Sequence, residues 1–180
     1  MLYMFFAEGF EEVEAIAALD VIRRAGIEIK SVAVDSLTVH GSHGISVVCD
    51  MTVYDIKDYK DIEGIILPGG MPGTTNLYDC VEVHKAIEFC AQNRKLLCAI
   101  CAAPLILGRK GLLEGKEAVC FPGFEDELKG ASISKNFVCT DGSIITAKGM
   151  GSAVNFGLAV VAAIKGQAFA DNLKSTLQCS

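Results

Sequence analysis

The sequence predicts an α/β fold in which helices cover both faces of a mostly parallel sheet. Short apolar runs without polar alternation are typical of strands buried on both faces, and residues 1–6, 64–67 and 95–100 have this pattern. Longer segments, 11–25 and 152–165, repeat apolar residues at helical spacing. Strands that alternate with helices of about 10–15 residues form βαβ units, and these units make a parallel sheet.

The remaining elements follow from the same patterns and from glycines at their ends. The first helix stops at Gly26, and a glycine just past the last turn is a common C-terminal cap. Two glycines interrupt a β excursion over 37–48, which we expect to fold as a hairpin. The other expected strands are 27–34, 117–120, 136–139 and 143–147, and the other helices are 81–93, 102–110 and a shorter one after Gly166.

Composition predicts one globular domain over residues 1–180. Of the 180 residues, 51% are apolar and 21% are charged, which excludes intrinsic disorder. The net charge is −6 and no basic cluster exceeds Arg23-Arg24, so we expect no nucleic-acid partner. No apolar stretch reaches the roughly 18 residues of a membrane span. The apolar N-terminus lacks a basic leader, so we expect a cytoplasmic protein without a membrane partner.

The eight cysteines predict core thiols rather than a disulfide framework. A chain of this length needs no covalent bridges, and free cysteine packs as a small hydrophobe. Cys98 and Cys101 form a C-x-x-C pair, but residues three apart in a strand point to opposite faces. No second pair with metal-ligand spacing accompanies them. We therefore expect no metal and no cofactor.

Parallel α/β folds bind ligands beyond the carboxyl ends of their strands, so the segments after Phe6, Leu67 and Ile100 form the candidate site. At the third end the strand runs directly into a helix, and Cys101 stands at the corner. This pattern resembles a nucleophile elbow with sulfur in place of a serine hydroxyl. The following helix N-terminus predicts a depressed thiol pKa. The alternative is that Cys101 is one more buried thiol.

The other two strand ends supply glycines and a carboxyl group. Gly69 and Gly70 follow the second strand, where backbone N–H groups could face an oxyanion; an ordinary tight turn is the alternative. Glu14 lies near the apolar stripe of the first helix. A carboxyl directed into a cleft can have a raised pKa and donate a hydrogen bond to a thiolate. Three neighbouring acids are explained by the helix dipole: Glu8, Glu11 and Glu12.

The histidines argue against a Cys-His triad. His40, His43 and His84 all precede Cys101, whereas a cysteine hydrolase usually pairs its thiol with a histidine base. Only His84 or a histidine of a partner subunit is left to reach the thiol.

Five motifs together resemble the ThiJ/PfpI family, and within it the branch of the parkinsonism-associated protein deglycase. In the family's order they are Ala7-Glu-Gly-Phe-Glu-Glu-Val-Glu14, Asp20-Val-Ile-Arg-Arg-Ala-Gly26, Leu67-Pro-Gly-Gly70, Ala99-Ile-Cys-Ala-Ala-Pro104 and Gly149-Met-Gly151. They extend over nearly the whole chain. The resemblance implies a flavodoxin-like three-layer sandwich of the class I glutamine amidotransferase type, with a reactive cysteine and a homodimeric assembly.

The resemblance also assigns residues to roles. It makes Cys101 the nucleophile and Glu14 its partner carboxylic acid. It places the backbone N–H groups of Gly69, Gly70 and Ala102 around the oxyanion. Residues 42–44, Ser-His-Gly, are similar to a segment that reaches the partner subunit's site.

Two departures from the family pattern bear on activity. Ala102 stands where the protease-like branch has a histidine, which argues against peptidase activity. Phe121 precedes Pro122 where several members have a histidine, which some proposed mechanisms use as a proton shuttle.

Two functions are compatible with these residues. In the first, the Cys101 thiolate attacks a small 2-oxoaldehyde or the adduct it leaves on a glycated protein, and Glu14 passes protons until a hydroxy acid leaves, without a cofactor. In the second, Cys101 is an oxidative-stress sensor that is oxidised to sulfinic acid, with a protective or chaperone-like output. The glycine pair favours the first function and the missing histidine favours the second. We place the enzyme first.

Overall fold

Strands and helices alternate along residues 1–179, the part of the chain that the computed structural model describes. The strands are β1 (Leu2–Phe6), β2 (Ile29–Ala33), β3 (Thr38–His40), β4 (Ser46–Val48), β5 (Met51–Thr52), β6 (Gly64–Leu67), β7 (Leu96–Ile100), β8 (Glu117–Ala118), β9 (Ser132–Ile133), β10 (Val138–Asp141) and β11 (Ile144–Ala147). The helices are α1 (Glu12–Arg24), α2 (Gly73–Asp79), α3 (Val81–Gln92), α4 (Pro104–Arg109), α5 (Ala153–Lys165) and α6 (Gln167–Thr176).

Seven strands form the central sheet in the order β10-β11-β7-β6-β1-β2-β5. Every neighbouring pair is parallel except β10 and β11, which form an antiparallel hairpin. Its turn contains Gly142 at φ +61°, a left-handed conformation that glycine adopts without steric cost. β3 and β4 pair outside the sheet as the expected hairpin. The predicted α/β fold with a mostly parallel sheet is confirmed.

The central strands are apolar along their whole length because helices cover both of their faces. In β1, side chains that point one way, such as Met4 and Phe6, pack with the core beneath α1 and α5. Their neighbours Tyr3 and Phe5 pack with the opposite core, beneath α3 and α4. This arrangement gives the three layers that the flavodoxin-like resemblance implied.

Six short elements lie outside the predicted set. They are helix α2, the two-residue strands β5 and β9, and three 3₁₀ helices at Val53–Asp55, Glu125–Glu127 and Met150–Ser152. The helix predicted over 102–110 begins only at Pro104, because residues 101–103 form a turn. Among residues 1–179, no helix is long and apolar enough to cross a membrane. The single domain over 1–180 and the cytoplasmic location stay predictions.

Candidate active site

The three strand ends selected from the sequence lie side by side in the sheet. β7, β6 and β1 are consecutive neighbours, and parallel strands place their carboxyl ends at one edge. The segments that follow bring Cys101 and Gly69 together with Glu14 of helix α1. Sequence positions 14, 69 and 101 thus form one cluster, as the motif pattern predicted.

Cys101 occupies a strained corner. Its φ of +65° lies in the left-handed region, which costs a non-glycine residue about 1 kcal/mol or more. Backbone hydrogen bonds hold this conformation: the Cys101 N–H donates to the Ala147 carbonyl at 2.9 Å, and the Cys101 carbonyl accepts from the Phe121 N–H at 2.8 Å. Strain of this kind in a nucleophile elbow presents the side chain at the edge of the sheet. The Cys101 thiol is half-buried.

Glu14 is buried, with only 1% of its surface exposed. Its carboxyl oxygen Oε2 accepts the Gly69 N–H at 3.1 Å, and the Met150 N–H also donates to the carboxyl. The same carboxyl group hydrogen-bonds to the Cys101 thiol. Helix α1 begins directly after its N-cap Glu11, so Glu14 lies in the first turn of the helix, next to the edge of the sheet.

Gly69 lies where the two reactive groups meet. A Cβ atom at this position would stand 2.5 Å from Cys101 Cβ and 2.5 Å from Glu14 Oε2. Real Cβ atoms do not approach other atoms so closely, so only glycine lets the backbone pass between the carboxyl and the thiol. Position 69 requires glycine because of this close approach, whereas position 70 favours glycine because its φ of +91° is left-handed.

Burial and mutual charge set the protonation of the pair. Burial raises the pKa of Glu14 to about 7. Burial, followed by the negative charge of Glu14, raises the pKa of the Cys101 thiol to about 12. The expectation of a depressed thiol pKa from the helix N-terminus is therefore wrong, because burial and then the Glu14 charge raise the pKa instead. A thiolate requires that the carboxyl keep its proton, since two adjacent anions repel.

The N–H groups around the sulfur differ from the predicted set at one position. The Gly70 and Ala102 N–H groups lie beside the Cys101 sulfur and favour its anionic form. The Gly69 N–H points instead to Glu14. Gly69 therefore positions the carboxyl, and two of the three predicted donors remain for an oxyanion.

The three histidines pair with other groups. His40 faces Glu8 at 3.1 Å, and His43 faces Glu12 at 3.0 Å. The His84 ring packs against Tyr78. Within residues 1–179, Glu14 is thus the titratable group that touches Cys101.

Glu12 has a structural role that the sequence did not reveal. It is buried and accepts the N–H groups of His43 at 2.7 Å and Ile45 at 3.4 Å, which ties the β3–β4 hairpin to helix α1. Although burial opposes its charge, the hydrogen bond with the His43 ring, followed by backbone hydrogen bonds, lowers the pKa of Glu12 to about 2. The helix dipole, by which the sequence analysis explained Glu12, does not predict this contact.

One cluster in the described part of the chain has metal-ligand chemistry. Glu11, Glu12 and His43 bring their ligand atoms within 4.8 Å of one another. The Glu12 carboxylate is already engaged with the hairpin, and Glu11 caps α1 by accepting the Glu14 N–H at 2.6 Å. Their existing hydrogen bonds thus account for both carboxylates.

The loop at 149–151 contributes residues to the site. Besides the Met150 N–H, a Cβ at Gly149 would lie 3.2 Å from the Phe121 ring and 3.7 Å from Glu14 Oε1. In the sequence, only the family resemblance marks this Gly-Met-Gly motif. Its proximity to Glu14 depends on how β11 leads into α5, which no local pattern encodes.

The model of the DJ-1/PfpI family matches residues 1–163. The chain belongs to the DJ-1/PfpI family. The resemblance identified from the sequence motifs is thereby confirmed, together with its flavodoxin-like fold.

Several family members are similar over most of this chain. Protein DJ-1 homolog A of Arabidopsis thaliana is 35% identical over 95% of the chain, and the chain spans 44% of that protein's length. Glutathione-independent glyoxalase DJR-1.2 of Caenorhabditis elegans is 30% identical, with 88% of this chain and 85% of that protein covered. The structure of oxidized Toxoplasma gondii DJ-1 matches with a TM-score of 0.94 and 30% identity, covering 99% of this chain and 98% of that one.

Replacing Gly69 by alanine is expected to lower the free energy of unfolding. The added Cβ collides with Cys101 and Glu14, and such overpacking costs about 1–3 kcal/mol. Gly151→Ala is the matched control, because a Cβ there meets no atom within 4 Å. Urea unfolding of both variants measures the difference. Equal stability would show that the backbone does not approach the pair as closely as described.

Proposed function

We propose that this DJ-1/PfpI member converts small 2-oxoaldehydes to 2-hydroxy acids, using Cys101 as nucleophile and Glu14 as proton carrier. One observation carries the proposal: a buried carboxyl and a half-buried thiol share a hydrogen bond at a strand end, beside two N–H groups. When such an aldehyde has formed an adduct with a protein side chain, the former aldehyde carbon is the atom that the Cys101 thiol attacks. The glyoxalase name of the Caenorhabditis elegans relative supports the reaction class.

The first step is addition of sulfur to the aldehyde carbon. With the proton on Glu14, the Cys101 thiolate forms a C–S bond, and the aldehyde C=O electrons move to oxygen. The Gly70 and Ala102 N–H groups face this region and stabilise negative charge on that oxygen. Proton transfer from Glu14 then gives a neutral hemithioacetal.

The second step moves a hydrogen from the first carbon to the second. The Glu14 carboxylate removes the C–H proton of the hemithioacetal and passes it to the ketone oxygen, which yields an enediol. It then takes the hydroxyl proton of the first carbon and delivers it to the former ketone carbon. The first carbon is thereby oxidised to a thioester and the second is reduced to an alcohol. Both changes occur within the substrate, so the redox balance needs no external oxidant or reductant.

Hydrolysis completes the cycle. Water adds to the thioester, the C–S bond breaks, and the hydroxy acid leaves while Cys101 regains its thiolate. A carboxyl with a pKa of about 7 suits this sequence, because it accepts and donates protons with similar ease near neutral pH. Glu14 thus supplies the proton transfers for which other family members have a histidine at the position of Phe121.

Lactate formation from methylglyoxal tests the proposal. Cys101→Ser is expected to abolish it, and Glu14→Gln to slow it by about 100-fold or more, the range of general acid–base catalysis. The amide oxygen of the introduced glutamine would still accept the Gly69 N–H, so the fold is expected to persist. Enzymatic lactate assays give the rates, and circular dichroism checks the fold.

Glu28→Gln is the matched control, because Glu28 is an exposed carboxyl on the surface. It is expected to retain the full rate. Unchanged lactate production by Glu14→Gln would remove Glu14 from the mechanism, and none from reduced wild-type protein would contradict the enzyme.

We propose redox sensing by Cys101 as the second candidate function. The N–H groups of Gly70 and Ala102 and the protonated Glu14 carboxyl are placed to hold the oxygens of a sulfinate. Dilute peroxide is expected to add two oxygen atoms at Cys101 but none at Cys80, which is also half-buried. Peptide mass spectrometry distinguishes the sites. Equal oxidation of both cysteines would contradict a tuned sensor.

We also propose that two copies associate through helix α1. Val13 and Ile16 of this helix and Ile45 of the hairpin are exposed and line one shallow apolar groove. Glu12 fixes the hairpin beside the helix, so the two elements present a continuous surface. A second copy supplies an equivalent apolar surface, as a two-fold interface requires.

Sedimentation measures this association. Wild type is expected to behave as a dimer at micromolar concentration and Ile16→Glu as a monomer, because a buried unpaired charge opposes association. Ile133→Glu is the control, since Ile133 is exposed on a different element. Dimers that persist in Ile16→Glu would place the interface elsewhere.

A further inference from the structure

An apolar cleft of about 350 Å³ opens beside the proposed catalytic pair. Phe121, Phe137 and Met150 contribute its large apolar side chains. Their exposed fractions are 48%, 65% and 56%. Single exposed apolar side chains are ordinary, but three that line one concavity mark a surface suited to binding an apolar group.

The cleft adjoins the Cys101–Glu14 site through Phe121 and Gly149. The Phe121 N–H donates to the Cys101 carbonyl at 2.8 Å. This hydrogen bond holds Phe121, which lines the cleft, next to the strained backbone of Cys101. Gly149 lies between the Phe121 ring and Glu14 Oε1, at the Cβ distances given above. Because glycine has no side chain, residue 149 places only backbone atoms at the boundary between the cleft and the carboxyl group.

The chemistry of the walls selects an aromatic occupant. Two phenylalanine rings offer faces and edges on which another ring can stack. The Lys148 Nζ lies 5.3 Å from the centre of the Phe137 ring and places a positive charge at the same wall.

We propose that this cleft binds the aromatic substituent of a carbonyl ligand whose aldehyde carbon reaches Cys101. The proposal rests on the proposed function for its chemistry, and it narrows the substrate class to aryl-substituted 2-oxoaldehydes. Phenylglyoxal is the representative: Cys101 adds to its aldehyde carbon, and Glu14 moves the hydrogen to the ketone carbon. Water then releases mandelate, with the same internal redox balance as for lactate.

Steady-state kinetics with two aldehydes test the specificity. Wild type is expected to have a kcat/KM at least about tenfold higher for phenylglyoxal than for methylglyoxal, within the range for filling an apolar pocket. Phe121→Ala is expected to lower this ratio about tenfold. Phe121 is half exposed, so its removal leaves the core intact.

Phe169→Ala is the matched control. Phe169 is also an exposed phenylalanine, and it has the Lys165 Nζ 4.7 Å from its ring centre, but it lies on helix α6 outside the cleft. This variant is expected to keep the wild-type ratio. A ratio near one in wild type, or an equal decrease in both variants, would overturn the proposal.

A protection experiment separates binding from turnover. Racemic mandelate is expected to slow alkylation of Cys101 by iodoacetamide more than lactate does, and Phe121→Ala is expected to remove the difference. If neither aldehyde is consumed but mandelate protects, the proposed reaction fails while the aromatic cleft stands. Equal protection by both acids, or none by either, would overturn the cleft as an aromatic site whatever the kinetics show.

Discussion

The hydrogen bond from the Gly69 N–H to the Glu14 carboxyl is the contact on which the site depends. It joins a loop at the end of β6 to a side chain of helix α1, and the Cys101 corner at the end of β7 packs against the same glycine. Three neighbouring strands must therefore end at one level of the sheet. The core beneath them fixes that level, because close packing leaves little room for the strands to slide.

Burial of the Glu14 carboxyl raises its pKa and so couples its proton to the charge on the Cys101 sulfur. Water is largely excluded from Glu14, so its pKa rises to about 7 and the carboxyl is partly protonated at neutral pH, next to the sulfur. The same side chain opposes a thiolate when ionised and stabilises one when protonated. In the proposed mechanism, a single carboxyl links nucleophile formation to proton transfer, and Phe121 stands at the position where several family members have a histidine.

Local patterns predicted the parts of the molecule that local sequence determines. The fully buried strands β1, β6 and β7 were visible as apolar runs, and Cys101 was visible because its strand ends without a loop. Helix α2 was missed because its Gly-Thr-Thr-Asn opening has weak helix propensity. The contact of Glu12 with the hairpin and the cleft between Phe121 and Met150 join segments about 30 residues apart in sequence, so tertiary packing alone creates them.

The central claim is that the Cys101 thiolate exists when the proton resides on Glu14. The pH dependence of Cys101 alkylation by iodoacetamide, followed by peptide mass spectrometry, tests it most directly. The claim predicts that the reactivity rises as the pair loses its first proton, near pH 7, and then reaches a plateau. A rate that rises only above the ordinary thiol pKa of about 8.5 would contradict it.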